Sequence, residues 1–264
     1  MNSLLWLVSL ILLLSTQAFA GKDVRVRVLK TKRPIALQAN NLANDKYFYS
    51  SSVLSRSKIK IQRILKNNQW LWKVTDQKNK TSNLIENRIL VFTGDFMELD
   101  KHLAIPGSVS FVGVGARTDV IIKLPLEEYL KGVLPNEMPL SWPMEALKAQ
   151  VVASRSYTLS VMRERTHLHF DVESTVQDQV FQWVKVESIA QPFRSKMKEA
   201  LKQTEGEFLT HGNQRYFKAY FHADSGGKTE KAKYVWGPSI LQPSYSVKTK
   251  FARSPNKHWI RNWS

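Results

Sequence analysis

From Lys22 to about residue 121, apolar and polar residues alternate in short runs. Val24, Val26 and Val28 alternate with Asp23, Arg25 and Arg27, the period of a half-buried strand. Similar runs predict strands at Tyr47–Tyr49, Lys58–Ile64, Trp70–Thr75, Arg88–Phe92, Ser108–Gly113 and Asp119–Leu124. Asn67-Asn68 and Gly94-Asp95 read as turns between them. This stretch offers no nucleophile with a base partner and no metal-ligand spacing. It reads as a β-rich module that carries the second half of the chain or binds a polymer.

At Pro125 the period changes. Leu126, Tyr129, Leu130 and Val133 are spaced i, i+3, i+4, i+7, one apolar helical face. Pro135 is expected to end this helix, because a proline disfavours helical backbone in the residue before it. A second helix is predicted from about Ser141-Trp142-Pro143 to Arg163. Proline fits a first turn, and Glu145 suits that end of the dipole. Apolar residues cover most of its circumference, which predicts burial. Lys148 and Arg155 interrupt that surface seven residues apart, on one face. They either point into a polar cleft that takes an anionic ligand, or pair with acidic residues on a solvent strip. A third helix is predicted over Phe193–Gln203, ahead of Gly206, and a hairpin over Glu207–Thr210 and Arg215–His222. Gly226-Gly227 then permits a tight turn or a close approach to a ligand.

These patterns give an α+β protein: a β-rich part over 21–118 and a mixed helical and strand part over 119–264. Ahead of them, Leu4 to Leu14 is apolar except for Ser9, and Ala18-Phe19-Ala20 has the form of a signal cleavage site. Residues 1–20 are therefore read as a signal peptide and the protein as exported, to the periplasm or cell wall. An uncleaved segment would instead anchor it to a membrane. The chain has no cysteine, which excludes disulfides, thiol catalysis and Cys-ligated zinc. A net charge of +17 points to a polyanionic partner. No nucleic-acid-binding module is recognisable.

The candidate chemistry centres on Glu137, a carboxylate between Pro135 and Pro139 in a short connection. Catalytic groups concentrate on loops held by rigid elements. Val133, Leu134, Met138, Leu140 and Trp142 surround it in sequence and are expected to desolvate it, raising its pKa. His167, His169 and Asp171 alternate, a weak metal signal without a fourth ligand. They are read first as satisfied loop or strand polars.

Several motifs, in order over about residues 120–240, resemble the SpoIID/LytB family. They are Leu124-Pro125-Leu126-Glu127-Glu128-Tyr129-Leu130, Asn136-Glu137-Met138-Pro139, Glu145-Ala146-Leu147-Lys148-Ala149-Gln150 and Arg155-Ser156-Tyr157. His169-Phe170-Asp171-Val172, Gln179-Val180-Phe181 and Ser225-Gly226-Gly227 with Thr229-Glu230 continue the series. The resemblance implies a peptidoglycan lytic transglycosylase that cleaves between N-acetylmuramic acid and N-acetylglucosamine on strands lacking stem peptides. It puts the catalytic glutamate at Glu137 and basic residues at Lys148 and Arg155. It also puts substrate-groove positions at Gln179, Tyr220, His222, Ser225 and Thr229. LytB-type relatives are described as amidase enhancers, so a cell-wall amidase is a second candidate partner beside the glycan. Some family members hold zinc through His and Cys near this chain's Asp178-Gln179. With no cysteine, no metal or other cofactor is expected here.

A hydrolase of the same glycan would need a second carboxylate, for which Glu128, Glu145 and Asp171 are the candidates nearest in sequence. The third alternative is a non-catalytic wall-binding protein that stimulates an amidase.

Overall fold

The computed structural model describes residues 22–40, 57–77, 80–100, 103–183, 186–211, 216–222, 225–237 and 246–248. The proposed signal peptide and the strand expected at Tyr47–Tyr49 lie outside them.

The strands are β1 (Asp23–Thr31), β2 (Ile35–Asn40), β3 (Ser57–Lys66), β4 (Gln69–Asp76), β5 (Ser82–Ile85), β6 (Ile89–Leu99), β7 (Leu103–Val114), β8 (Arg117–Pro125) and β9 (Val172–Glu173). The helices are α1 (Leu126–Glu137), α2 (Met144–Glu164), α3 (Phe193–Gln203) and the short α4 (Ala232–Trp236). The protein is α+β, with its strands concentrated in the N-terminal part.

All the named strands join one sheet, in the order β5-β4-β3-β2-β6-β7-β8-β1-β9. Neighbours are antiparallel except β1 and β9, where Val26 pairs with Val172 and Arg27 with Glu173. The period-two pattern is kept in burial: Val24 and Val26, Ile35 and Leu37, Ile59 and Ile61, and Trp72 and Val74 all face one apolar core. Asn67 and Asn68 both adopt positive φ, the backbone of a two-residue hairpin turn between twisted strands. Gly94-Asp95, by contrast, is no turn. β6 continues through it, and the extra chain is absorbed by a register shift between Gly94 and Met97 against β7, a bulge rather than a reversal.

The helices belong to the same core. Leu126, Tyr129, Leu130 and Val133 of α1 and Leu147, Val151, Leu159 and Val161 of α2 share one cluster with the strand residues. The expected boundary between residues 118 and 119 falls inside β8, which is paired on both sides, to β7 and to β1. β9, which follows α2 in sequence, extends the sheet beside β1. Residues from both halves of the chain therefore hold the sheet edge on which the helices rest.

Candidate active site

Glu137 is the last residue of α1. Pro135 does not end that helix as expected; it lies inside it. The missing N–H is a single loss close to the helix end. The last turn keeps Asn136 Nδ2 donating to Gly132 O at 2.7 Å and Met138 N–H donating to Leu134 O at 3.0 Å. The stop comes from Pro139. It forces Met138, the residue before it, into extended backbone at φ −146 and ψ 136.

The Glu137 carboxyl is half-buried and accepts a hydrogen bond from the Val180 backbone N–H on Oε1 at 2.6 Å. Burial raises its pKa above the ordinary 4.5, and the Val180 N–H opposes that rise by stabilising the anion. Of the neighbours expected to desolvate it, Val133 and Leu134 are buried, and Met138 and Leu140 pack partly buried against the core. Trp142 remains 46% exposed. The turn after Glu137 is tied down by Lys196 of α3, whose Nζ donates to the carbonyls of Ser141 and Trp142.

Val180 owes its position to the chain on either side of it. Gln179 is fully buried; its Oε1 accepts from Tyr129 Oη at 3.1 Å and Thr158 Oγ1 at 3.0 Å, and its Nε2 donates to Ser154 O at 3.3 Å. Phe181 stacks on Tyr129 with centroids 5.1 Å apart. Gln182 N–H donates to Gly132 O at 3.3 Å. This closeness needs glycine at 132. A Cβ there would stand 2.5 Å from the Phe181 ring and 2.6 Å from the Gln182 carbonyl oxygen, far inside normal contact. Upstream, Asp178 accepts from Tyr157 Oη at 2.7 Å and from Arg165 at 2.5 Å, and from the Glu173 N–H at 2.8 Å. The segment 178–182 is thus laid along α1 and α2, with one amide aimed at Glu137.

Arg155 takes the acidic-pair alternative. Its side chain is 0% exposed and forms a bidentate pair with Glu127 at 2.8 and 2.7 Å. Its third contact is to Glu207 O at 3.0 Å. A guanidinium with its fork so filled ties α1 to α2 and to the chain after α3. Lys148 lies nearer the start of α2, 24% exposed, with Nζ 2.7 Å from Glu145. The shared helix face does not become a shared cleft, because Glu127 covers one member of the pair.

Of the later candidates, Tyr220 packs against α2. Tyr220 meets Tyr157 edge-to-face at 5.9 Å, which links it through Asp178 to the Val180 segment. His222 is exposed. Ser225 Oγ accepts from Gly227 N–H at 3.3 Å, and Gly226 and Gly227 both have positive φ, so the double glycine makes a tight turn. Thr229 Oγ1 accepts from Val247 N–H at 2.8 Å.

His169 and Asp171 are engaged as structural polars. His169 Nε2 lies 2.8 Å from Asp119 Oδ2, and Asp171 is gripped by the Arg25 side chain and N–H. Among the described residues no cluster of three or more His, Asp or Glu has metal-site geometry. The other carboxylates considered as partners for Glu137 are each held by a cation: Glu128 by Lys131, Glu145 by Lys148 and Asp171 by Arg25.

Sequence reasoning missed the Val180 amide, the Asp178–Tyr157–Arg165 anchor and Lys196. The first two were within reach: Asp178 and Val180 flank Gln179 in a segment already singled out. Lys196 gave no signal, being one of many lysines.

Taken together, these features define an α+β protein with one half-buried carboxyl held by a backbone amide at a helix C-terminus. Residues 115–211 match the model of the SpoIID family, described as Stage II sporulation protein. Over this segment the chain is similar to that family. An uncharacterized protein of Brachyspira hyodysenteriae is 28% identical over 229 residues, 86% of this chain and 58% of that one. The amidase enhancer of Bacillus subtilis is 35% identical over 130 residues, covering 49% of this chain and 16% of its own length. Stage II sporulation protein D of Bacillus subtilis is 35% identical over 144 residues, covering 51% and 41%. The chain thus corresponds to only part of each of these relatives.

Proposed function

We propose that this protein acts on the cell wall by cleaving peptidoglycan glycan strands, as a lytic transglycosylase at the bond between N-acetylmuramic acid and N-acetylglucosamine. Glu137 is its acid and base. The observation that carries this reading is the state of that carboxyl: burial favours its protonated form, and Val180 N–H fixes Oε1. The second oxygen is then the one to deliver a proton to the glycosidic oxygen as the C1–O bond breaks. The muramic acid C6 hydroxyl attacks C1 and gives its proton back to Glu137, leaving a 1,6-anhydro end. That sequence needs one carboxyl, whereas hydrolysis normally needs two.

Lys148 is the cation best placed in this reading to meet the lactyl carboxylate of a peptide-free muramic acid, by exchanging its partner Glu145. Arg155 and Gln179 act as positioning residues, being wholly buried. Tyr220, His222, Ser225 and Thr229 remain candidates for the groove wall. A role as an amidase enhancer is the second reading, favoured by the 35% identity to a protein of that name.

Purified peptide-free glycan strands incubated with wild type and Glu137→Gln separate these readings. The expected result is 1,6-anhydro ends from wild type and none from the variant, with strand binding retained by both. Reducing ends would mean hydrolysis. Equal inactivity of both proteins, with binding intact, would favour the enhancer role.

A further inference from the structure

Beyond Glu137, a cleft of about 430 Å³ opens beside the same chain segment, within the range typical of small-ligand sites. One wall is Gln182-Trp183, the other comes from β1 and from the turn joining β6 to β7. Val28 and Leu29 both line it, although successive strand residues ordinarily face opposite ways. The register shift between Arg27 and Leu29 explains this. Ala104 leaves the opposite side open.

Two polar groups of the lining are uncommitted. Asp100 is locked in place by Ala36, whose N–H donates to Oδ1 at 2.8 Å and whose carbonyl accepts the Asp100 N–H at 2.9 Å. Its other carboxylate oxygen has no partner among the described residues. The Gln182 side-chain amide has none there either. The cleft therefore offers an aromatic surface, a small apolar wall and a fixed acceptor beside an amide.

We propose that this cleft is a binding subsite for an N-acetylhexosamine of the glycan. The sugar ring stacks on Trp183, its acetamido methyl lies against Val28, Leu29 and Ala104, and its N–H and hydroxyls bond Asp100 and Gln182. Continuity supports the same strand as occupant. Val180, which holds Glu137, and Trp183 are three positions apart, at most about 11 Å of chain. A polymer bound at Glu137 therefore has its neighbouring sugars within reach of Trp183. The proposal rests on the glycan reading of the Glu137 site, and its test is independent of cleavage.

Isothermal titration of the full chain with an N-acetylglucosamine tetramer provides that test, alongside digestion of peptide-free glycan by wild type. Trp183→Ala is expected to weaken tetramer binding about tenfold or more, a loss of the size aromatic contacts carry. Because Trp183 also packs on the core, Ala104→Phe serves as the second variant. It fills the cleft from the far side and is expected to abolish binding with an unchanged circular dichroism spectrum. Wild-type affinity in a folded Ala104→Phe variant, or no tetramer binding by wild type, overturns the subsite even if wild type cleaves glycan. Binding lost in Ala104→Phe without any wild-type cleavage keeps the subsite and removes the catalytic reading.

Discussion

Glu137 is subject to two opposing influences. Burial favours the neutral acid, and the Val180 N–H favours the anion; burial is the larger, so the folded protein holds this proton more tightly than the unfolded chain does. Below about pH 4 both states are protonated and the group costs nothing. As pH rises through 4.5 toward the raised folded value, the unfolded chain ionises first and stability falls. Glu137→Gln keeps the acceptor for Val180 without a charge. Its melting temperature should match wild type at pH 4 and exceed it at pH 7. A difference of equal size at both pH values would contradict the raised pKa. Arg155 gives a contrasting lesson. Sequence marked it as a charged exception on an apolar helix, and burial turned it into an internal tie. Nothing in the order of residues around Arg155 says that Glu127, on another helix, fills its fork.

Among the elements, the decisive contact is between α1 and the segment 178–182. It is stitched at Tyr129, Gly132 and Glu137, three positions on one helix. Gly132 is the position where a side chain cannot fit. Gly132→Ala should push Phe181 and Gln182 away and lengthen the Val180–Glu137 bond. Overpacking of this kind costs typically about 1–3 kcal/mol, and glycan cleavage should drop more than tenfold. Thermal unfolding and activity, measured together, check both parts; a variant of wild-type activity would show that the Val180 amide is dispensable. The three longer helices were plain in the sequence, α3 to the residue, whereas the short α4 was not. Their ends were less so. Pro135 and Pro139 look alike as helix breakers, but only Pro139 acts as one, because Pro135 lies in the last turn, where its missing N–H is a single loss and Asn136 and Met138 still bond back into the helix.

For the molecule as a whole, one sheet and one core join a β-rich half to a helical half, and the charge of +17 is spread over both. If peptide-free muramic acids are the partner, electrostatic attraction contributes to strand binding and is screened by salt. Binding of purified strands should weaken several-fold between 50 and 300 mM NaCl at constant pH, and salt-independent binding would remove charge from the account. Binding of an uncharged N-acetylglucosamine tetramer should barely change over the same range. The strand pattern announced most of the sheet, including the hairpin at Asn67-Asn68. It did not announce β2, β5 or β9. β5 and β9 are short, and β9 exists only because the chain returns from α2 to pair with β1.

The order of residues was enough to establish the α+β class, the three longer helices, the family motifs and the carboxylate they frame. Those depend on local periodicity, backbone restrictions at proline and glycine, and side-chain chemistry, all of which are written along the chain. The fold alone settled which charged residues are buried ties, which amide grips Glu137 and where a cleft opens beside Trp183. These depend on contacts between residues tens to more than a hundred positions apart, and no local pattern encodes such distances.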